Sequence, residues 1–214
     1  LVALARDARA RLERGAGERI VGVTGSVGKT STKDLLAAAL GERFEVAASQ
    51  RSFNNEIGVP ITLCNAPDGT EVLVVEMGAR GIGHIAELCH QACPVIGVVT
   101  AVELVHAEMF GDLEGVARAK RELVECLPAH GVAVLASNPL VAAMASHTRA
   151  RVLRFAVHPD AASPVDVWAE DLVLDADLRP SFGLVTPWGR TEVRLAVRGE
   201  HQAHNALAAA GAAL

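Results

Sequence analysis

Between Val21 and Ser31 an apolar, β-branched run passes through a turn of small residues straight into a helix-forming stretch, Val21-Gly22-Val23-Thr24-Gly25-Ser26-Val27-Gly28-Lys29-Thr30-Ser31. Such a passage joins a strand, a tight loop and a helix N-terminus end to end, which is how proteins present backbone N–H groups to nucleotide phosphates. Gly25 and Gly28 let the loop turn inward, Lys29 supplies a cation, and Thr30 offers a hydroxyl to Mg²⁺. The expected ligand is ATP, held by Thr24, Gly25, Ser26, Val27, Gly28, Lys29, Thr30 and Ser31. The loop is tighter than the general pattern G-x-x-x-x-G-K-[ST], because Val23 stands where the first glycine would fall and Gly25 leads instead. A plain strand-to-helix turn would account for the two glycines, but not for Gly-Lys-Thr-Ser at a strand exit.

The alternation continues along the chain. Apolar, β-branched segments fall near residues 19–24, 43–47, 71–76, 94–100, 131–136 and 151–156, with helix-like stretches near 29–40, 81–92, 112–127 and 138–148. That order predicts parallel β-α-β units in an α/β fold, a doubly wound, mostly parallel sheet with the phosphate site at its first strand exit. From residue 165 the pattern changes. Val165 to Leu174, Ser181 to Thr186 and Thr191 to Val197 follow one another without helices, and Pro187-Trp188-Gly189-Arg190 reads as a turn. A small antiparallel β-meander over 165–198 is expected at the edge of the main sheet. Residues 1–18 read as a helical lead-in and Asn205 to Leu214 as an Ala/Leu helix without a cap beyond it. The expectation is one domain, 19–214, of a longer protein with further domains on both sides.

With 214 residues, half of them hydrophobic and 21% charged, the chain has ample material for a core. A net charge of −5, 3% aromatics and no tyrosine provide neither a phosphate-tracking surface nor base-stacking platforms, so nucleic acid is not an expected partner. The longest apolar runs fall well short of the ~20 residues of a membrane span. No export signal is visible, and Cys64, Cys89, Cys93 and Cys126 lack metal-finger spacing, which fits a reducing cytoplasm. Cys89, His90 and Cys93 with His84 invite a zinc reading. Yet Cys89-x-x-x-Cys93 is one helical turn ending at Pro94, where core or partly buried thiols are expected.

In an open α/β sheet, ligands collect beyond the carboxyl ends of the strands. Besides the phosphate loop, three such segments are chemically unusual: Phe53-Asn54-Asn55-Glu56-Ile57-Gly58-Val59-Pro60, Glu76-Met77-Gly78-Ala79-Arg80, and Glu103 to His106 followed by Glu108-Met109-Phe110-Gly111. Glu76 ends an apolar strand, where a carboxylate is costly unless paired or metal-bound. Taken singly, His106 reads as a loop histidine, Asn54 and Asn55 as turn formers, and Lys120 as a solvated helix lysine.

Together with Ala119-Lys120-Arg121-Glu122, these motifs resemble the central, ATP-binding domain of the Mur ligases over nearly the whole chain. Within that family the likeness is to the branch that adds D-alanyl-D-alanine to a UDP-muramoyl-tripeptide. The resemblance implies a ligase that phosphorylates a carboxylate with ATP and passes the acyl group to an amine. It assigns Lys29 to the transferring phosphoryl group, and Thr30, Glu76, His106 and Lys120 to two Mg²⁺ ions, Lys120 as its carbamate. It gives Asn54 and Asn55 to the diphosphate of the UDP-sugar and Asn205 to the adenine side. The UDP-sugar peptide and the D-alanyl-D-alanine would be gripped mainly by flanking domains of a monomeric enzyme.

Three stretches depart from the family pattern. Thr100-Ala101-Val102-Glu103 replaces Thr-Asn-Ile-Gly, Leu135-Ala136-Ser137-Asn138 replaces Asn-Ala-Asp-Asp, and His201-Gln202 replaces His-Asn. They motivate two alternatives, an amide ligase with another acceptor and a non-catalytic nucleotide-binding paralogue. Folylpolyglutamate synthases resemble it less, since their loop reads Gly-Lys-Gly-Ser.

Overall fold

Ile20–Thr24 (β1) buries all five of its residues, as a strand does at the centre of a sheet covered on both faces. It pairs in parallel with Val72–Glu76 (β3) on one side and Ile96–Val99 (β4) on the other. Val46–Ala48 (β2) lies outside β3, while Val132–Ala136 (β5) and Arg151–Ala156 (β6) follow β4, all parallel. Val167–Leu174 (β7) pairs in parallel with β6, and Pro180–Thr186 (β8) and Gly189–Arg194 (β9) then add antiparallel. The resulting order is β2-β3-β1-β4-β5-β6-β7-β8-β9. The meander is therefore hydrogen-bonded into the main sheet. This computed structural model describes residues 1–13, 19–104, 110–160 and 164–214.

Successive residues of the inner strands serve opposite faces. Ile20, Leu73 and Val75 join a core with Val2–Glu13 (α1), Gly58–Asn65 (α3) and His84–Ala92 (α4). Val21, Val23, Val72 and Val74 join another with Lys29–Gly41 (α2) and His201–Ala213 (α6). Leu113–Glu125 (α5) lies across the paired glycines Gly22 and Gly97. A Cβ at Gly22 would meet Leu123 at 2.9 Å, and one at Gly97 would meet it at 3.1 Å. This close approach brings α5, and Lys120 with it, over the strand ends.

Several local expectations change. α3 was not expected, because Gly58 and Pro60 look like breakers; Pro60 sits in the first helical turn, where a missing N–H costs nothing. The helix expected at 138–148 is a short turn, Pro139–Ala142, continuing as 3₁₀ over Ala143–His147. α4 starts at His84 rather than 81, and α6 starts at His201, ahead of the expected Asn205. Thr186 pairs with Gly189, so Gly189 and Arg190 belong to β9 and the turn is the pair Pro187-Trp188. Cys89 is buried and Cys64 partly so, but Cys93 and Cys126 are exposed, Cys93 closing α4 with φ +49°. Among the described residues no helix is long and apolar enough to cross a membrane.

Candidate active site

The phosphate loop leaves β1 at Thr24, whose hydroxyl donates to Met77 O at 2.8 Å and ties the exits of β1 and β3 together. Gly25 has φ +150° and Gly28 φ +83°, values that L side chains rarely adopt. The segment after β4 braces the loop from behind. Ser26 N donates to Ala101 O at 2.8 Å, the Ser26 hydroxyl donates to Glu103 O at 2.9 Å, and Glu103 N donates back to it at 3.0 Å. Two of the departing residues, Ala101 and Glu103, thus act through their main chains. Thr100 donates its hydroxyl to Val27 O at 2.6 Å. Lys29 opens α2, and its ammonium donates to Gly25 O at 2.8 Å and Ser26 O at 3.1 Å. Burial lowers the Lys29 pKa, while the charge of Glu76 opposes the shift.

Glu76, at the end of β3, is 1% exposed. Its Oε2 accepts from the Thr30 hydroxyl at 2.9 Å and its Oε1 from Asn54 Nδ2 at 2.7 Å. No lysine or arginine forms a salt bridge with this carboxylate among the described residues, so its charge is met by neutral donors and by the nearby Lys29. A carboxylate oxygen beside a threonine hydroxyl at a helix N-terminus is a hard-oxygen donor set that fits Mg²⁺, which takes one or two protein ligands and keeps water and phosphate for the rest. Thr30 and Glu76 would hold it.

Lys120 stands on the same cavity from α5, 3% exposed, with its ammonium 5.8 Å from the centre of the Phe110 ring. Burial, then repulsion from Lys29, pushes its pKa down to about 8 against the attraction of Glu122. Glu122 is itself buried and accepts from the N–H groups of Gly83 and Ala86, so it caps α4 from another helix. The cavity, of about 280 Å³, is lined by Lys29, Asn54, Asn55, Arg80, His84 and Lys120, among others. Arg80 and His84 were not expected to line it. Only the position of Arg80 just beyond Glu76 hinted at this. His106, expected to serve the metals, lies outside the described residues, as do its neighbours at 105–109.

The remaining expected residues have specific partners. Asn54 supports Glu76, while Asn55 Oδ1 accepts from Ile57 N and Gly58 N at 3.2 and 2.8 Å and so starts α3. Both side chains therefore have protein partners while lining the cavity. Ser31 follows Thr30 in the first turn of α2. A second cavity of about 560 Å³ on the other side of the loop is lined by Gly28, Thr100, Asn138, Phe155, His204 and Asn205 with others. Asn138 also caps the turn after β5, accepting from Val141 N at 2.9 Å, whereas Leu135 is wholly buried.

A glycine-bent loop at a helix N-terminus, a buried carboxylate on its threonine and two cavities along the same strand ends define a nucleotide-binding α/β domain of the phosphate-loop class. A profile of the Mur ligase middle domain matches residues 23–213. The chain belongs to the Mur ligase family. It is 48% identical, over its whole length, to a Mycobacterium tuberculosis protein named UDP-N-acetylmuramoyl-tripeptide--D-alanyl-D-alanine ligase, of which it spans 41%. Among solved structures it resembles MurF from Acinetobacter baumannii, with a TM-score of 0.88 and 28% identity over 99% of this chain and 45% of that one. It also resembles a MurF ligase from Thermotoga maritima in complex with ADP, with a TM-score of 0.82 and 28% identity over 97% of this chain and 47% of that one.

Proposed function

We propose that this chain is the ATP-binding domain of a ligase that joins D-alanyl-D-alanine to UDP-N-acetylmuramoyl-tripeptide in cell-wall precursor synthesis. The observation that carries this reading is the convergence of Lys29 and Lys120 on one cavity at the strand ends, where Asn54 on its wall holds the Glu76 carboxylate that the Thr30 hydroxyl also meets. The names of its relatives point the same way. The reading includes a monomeric enzyme of the cytoplasm.

The chemistry follows from the charges. A carboxylate oxygen of the substrate attacks the γ-phosphorus, the bond to the β-γ bridging oxygen breaks, and ADP leaves. The amine of D-alanyl-D-alanine then attacks the acyl carbon, phosphate leaves with the former carboxylate oxygen, and the ammonium loses its proton. Lys29 and the loop N–H groups neutralise charge that builds on the phosphoryl oxygens. Mg²⁺, held by Thr30 and Glu76 and at a second position by Glu76, His106 and Lys120, would supply the further positive charge that this transfer needs. Lys120 reaches that role as its carbamate. Its neutral amine adds CO₂ and releases a proton, and the lowered pKa keeps a usable fraction of the amine neutral near pH 7.5. Asn54 and Asn55 line the side where the diphosphate-bearing substrate enters.

The Asn54 to Glu76 hydrogen bond makes a separable prediction. Asn54→Ala leaves the buried carboxylate misaligned and should raise the Mg²⁺ concentration for half-maximal ADP release by about tenfold, the usual effect of losing such an orienting partner. Mn²⁺ titration of the protein without substrates should show the same loss. A change in substrate KM alone would instead give Asn54 wholly to the UDP-sugar.

The proposed reaction is tested by ADP release from the intact protein with ATP, Mg²⁺, bicarbonate, UDP-muramoyl-tripeptide and D-alanyl-D-alanine. Release that requires both co-substrates is the expected result. ATP binding without release under those conditions would reject this acceptor pair.

A further inference from the structure

In a parallel ladder a residue donates its N–H to the neighbouring strand, and its carbonyl accepts from an N–H two residues further along that neighbour. Ser49, the first residue after β2, begins in this way, its N–H donating to Val74 O at 2.9 Å. Its carbonyl would then accept from Glu76 N. Instead Ser49 O accepts from the Lys33 ammonium at 2.9 Å, and the Ser49 hydroxyl accepts from Glu76 N at 3.1 Å. The carbonyl is drawn off the sheet and a side chain fills its place. Beyond this exchange the chain turns over the strand end and brings Asn54 Nδ2 to 2.7 Å from Glu76 Oε1. Lys33 is 3% exposed and Ser49 1%. Lys33 also meets the carboxylate of Asp34, whose side chain is largely exposed. Taking an ammonium out of water is expensive. This one stands on α2 one turn beyond Thr30, whose hydroxyl meets the other oxygen of the same Glu76 carboxylate. Ser49 Oγ lies 3.4 Å from the Thr62 hydroxyl of α3, so α2, α3 and β3 close around it.

We propose that Lys33 and Ser49 are positioning residues for the Glu76 carboxylate. Lys33 holds the Ser49 carbonyl off the ladder, so that the following segment delivers Asn54 to Glu76. The Ser49 hydroxyl fixes the main chain of Glu76 through the amide that the ladder leaves free. This rests on the reading of Glu76 as a Mg²⁺ ligand and extends it to two buried residues behind the site. Mg²⁺ tolerates little departure from octahedral geometry at short metal–oxygen distances. A carboxylate fixed at its main chain and at both oxygens meets that demand with less rearrangement on binding.

The test is Mn²⁺ titration of the intact protein without substrates, followed by the electron paramagnetic resonance of the free ion, beside amide hydrogen exchange along β3. Ser49→Ala should weaken Mn²⁺ about tenfold, and Ser49→Thr, which keeps the hydroxyl, should retain most of the affinity. In Ser49→Ala, exchange at the Glu76 amide should quicken while that at Met77, bonded to Val23 O on the other side of the strand, stays as it was. Lys33→Met keeps the length of the side chain and should weaken Mn²⁺ severalfold. It should add little in a protein already carrying Asn54→Ala, because the two changes act on one hydrogen bond. That arm leaves Ser49 unaltered and is informative even where Ser49→Ala folds poorly. Unchanged Mn²⁺ affinity in Ser49→Ala and Lys33→Met would overturn the proposal and leave the metal reading intact. Faster exchange along the whole of β3, with losses from Lys33→Met and Asn54→Ala that add in full, would overturn it in favour of general packing. An unaltered protein that takes up no Mn²⁺ would overturn the reading of Glu76 as a metal ligand, and this inference with it.

Discussion

Replacing Lys120 by methionine should abolish the amide-bond formation proposed for the intact protein and at the same time raise the melting temperature. The two effects have one cause. Lys120 is 3% exposed, with Lys29 nearby and Glu122 partly offsetting it, and its pKa falls from 10.5 to about 8. A lysine whose pKa is lower folded than unfolded binds fewer protons in the folded state between those two values. Stability therefore rises with pH across that window and is least where the amine is fully charged in both states. At pH 7 in bicarbonate-free buffer, the buried charge costs roughly 3 kcal/mol. Methionine keeps the length and the contact with Phe110 and removes the charge, so a gain of about 5 °C is expected for a domain of this size. The gap between the two proteins should close as the pH is raised from 7 toward 10. Adding bicarbonate and Mg²⁺ should stabilise the lysine protein alone. A variant melting below the unaltered protein at pH 7 would show that the ammonium is a net stabiliser there, against the burial argument.

Gly25→Ala should disable nucleotide binding by geometry alone. Gly25 sits at φ +150°, and an added Cβ would collide with the Thr100 hydroxyl while lying 3.1 Å from Ala101 N. Both neighbours hold the loop, through Val27 O and Ser26 N. The methyl group must push them away or reverse the backbone, at a cost of about 2 kcal/mol in stability and a larger loss in ATP affinity. The double variant Gly25→Ala/Thr100→Ala should recover part of the stability loss, because it removes the nearest obstacle. Additive losses in that double-mutant cycle would mean that the strain lies in the glycine backbone and not in the collision.

The strands were legible in the sequence because buried parallel strands are short runs of Val, Ile and Leu, and β1, β3, β4 and β5 match that form closely. α3 was hidden because Gly58 and Pro60 carry the marks of a turn, whereas the side-chain oxygen of Asn55 starts the helix and Val59 and Leu63 pack it into the core. The strand-exit positions of Lys29, Thr30 and Glu76 were readable from the same pattern, whereas Lys120, inside a helix, was assigned only through the family resemblance. Partner choice was not readable. Asn54 and Glu76 are 22 residues apart and Thr100 and His204 are 104 apart, and no local spacing encodes such pairs. Three departures that looked like damage near the site proved to include main-chain contacts at Ala101 and Glu103, where side-chain identity matters little, and a hydrogen-bonding partner at Gln202.

β1 is among the first elements in the sequence and stands at the middle of the sheet. During synthesis it therefore emerges long before its neighbours, and its two flanking strands are complete only at residue 99. The loop it carries waits longer still, because His204 and Asn205 are synthesised long after Thr100 and Gly28, which they meet, with 104 residues separating His204 from Thr100. A nascent chain stopped short of residue 201 has every phosphate-loop residue and none of the support from α6. A nucleotide stabilises only a form that binds it, so a chain stopped there should gain less stability from ATP than one that includes α6.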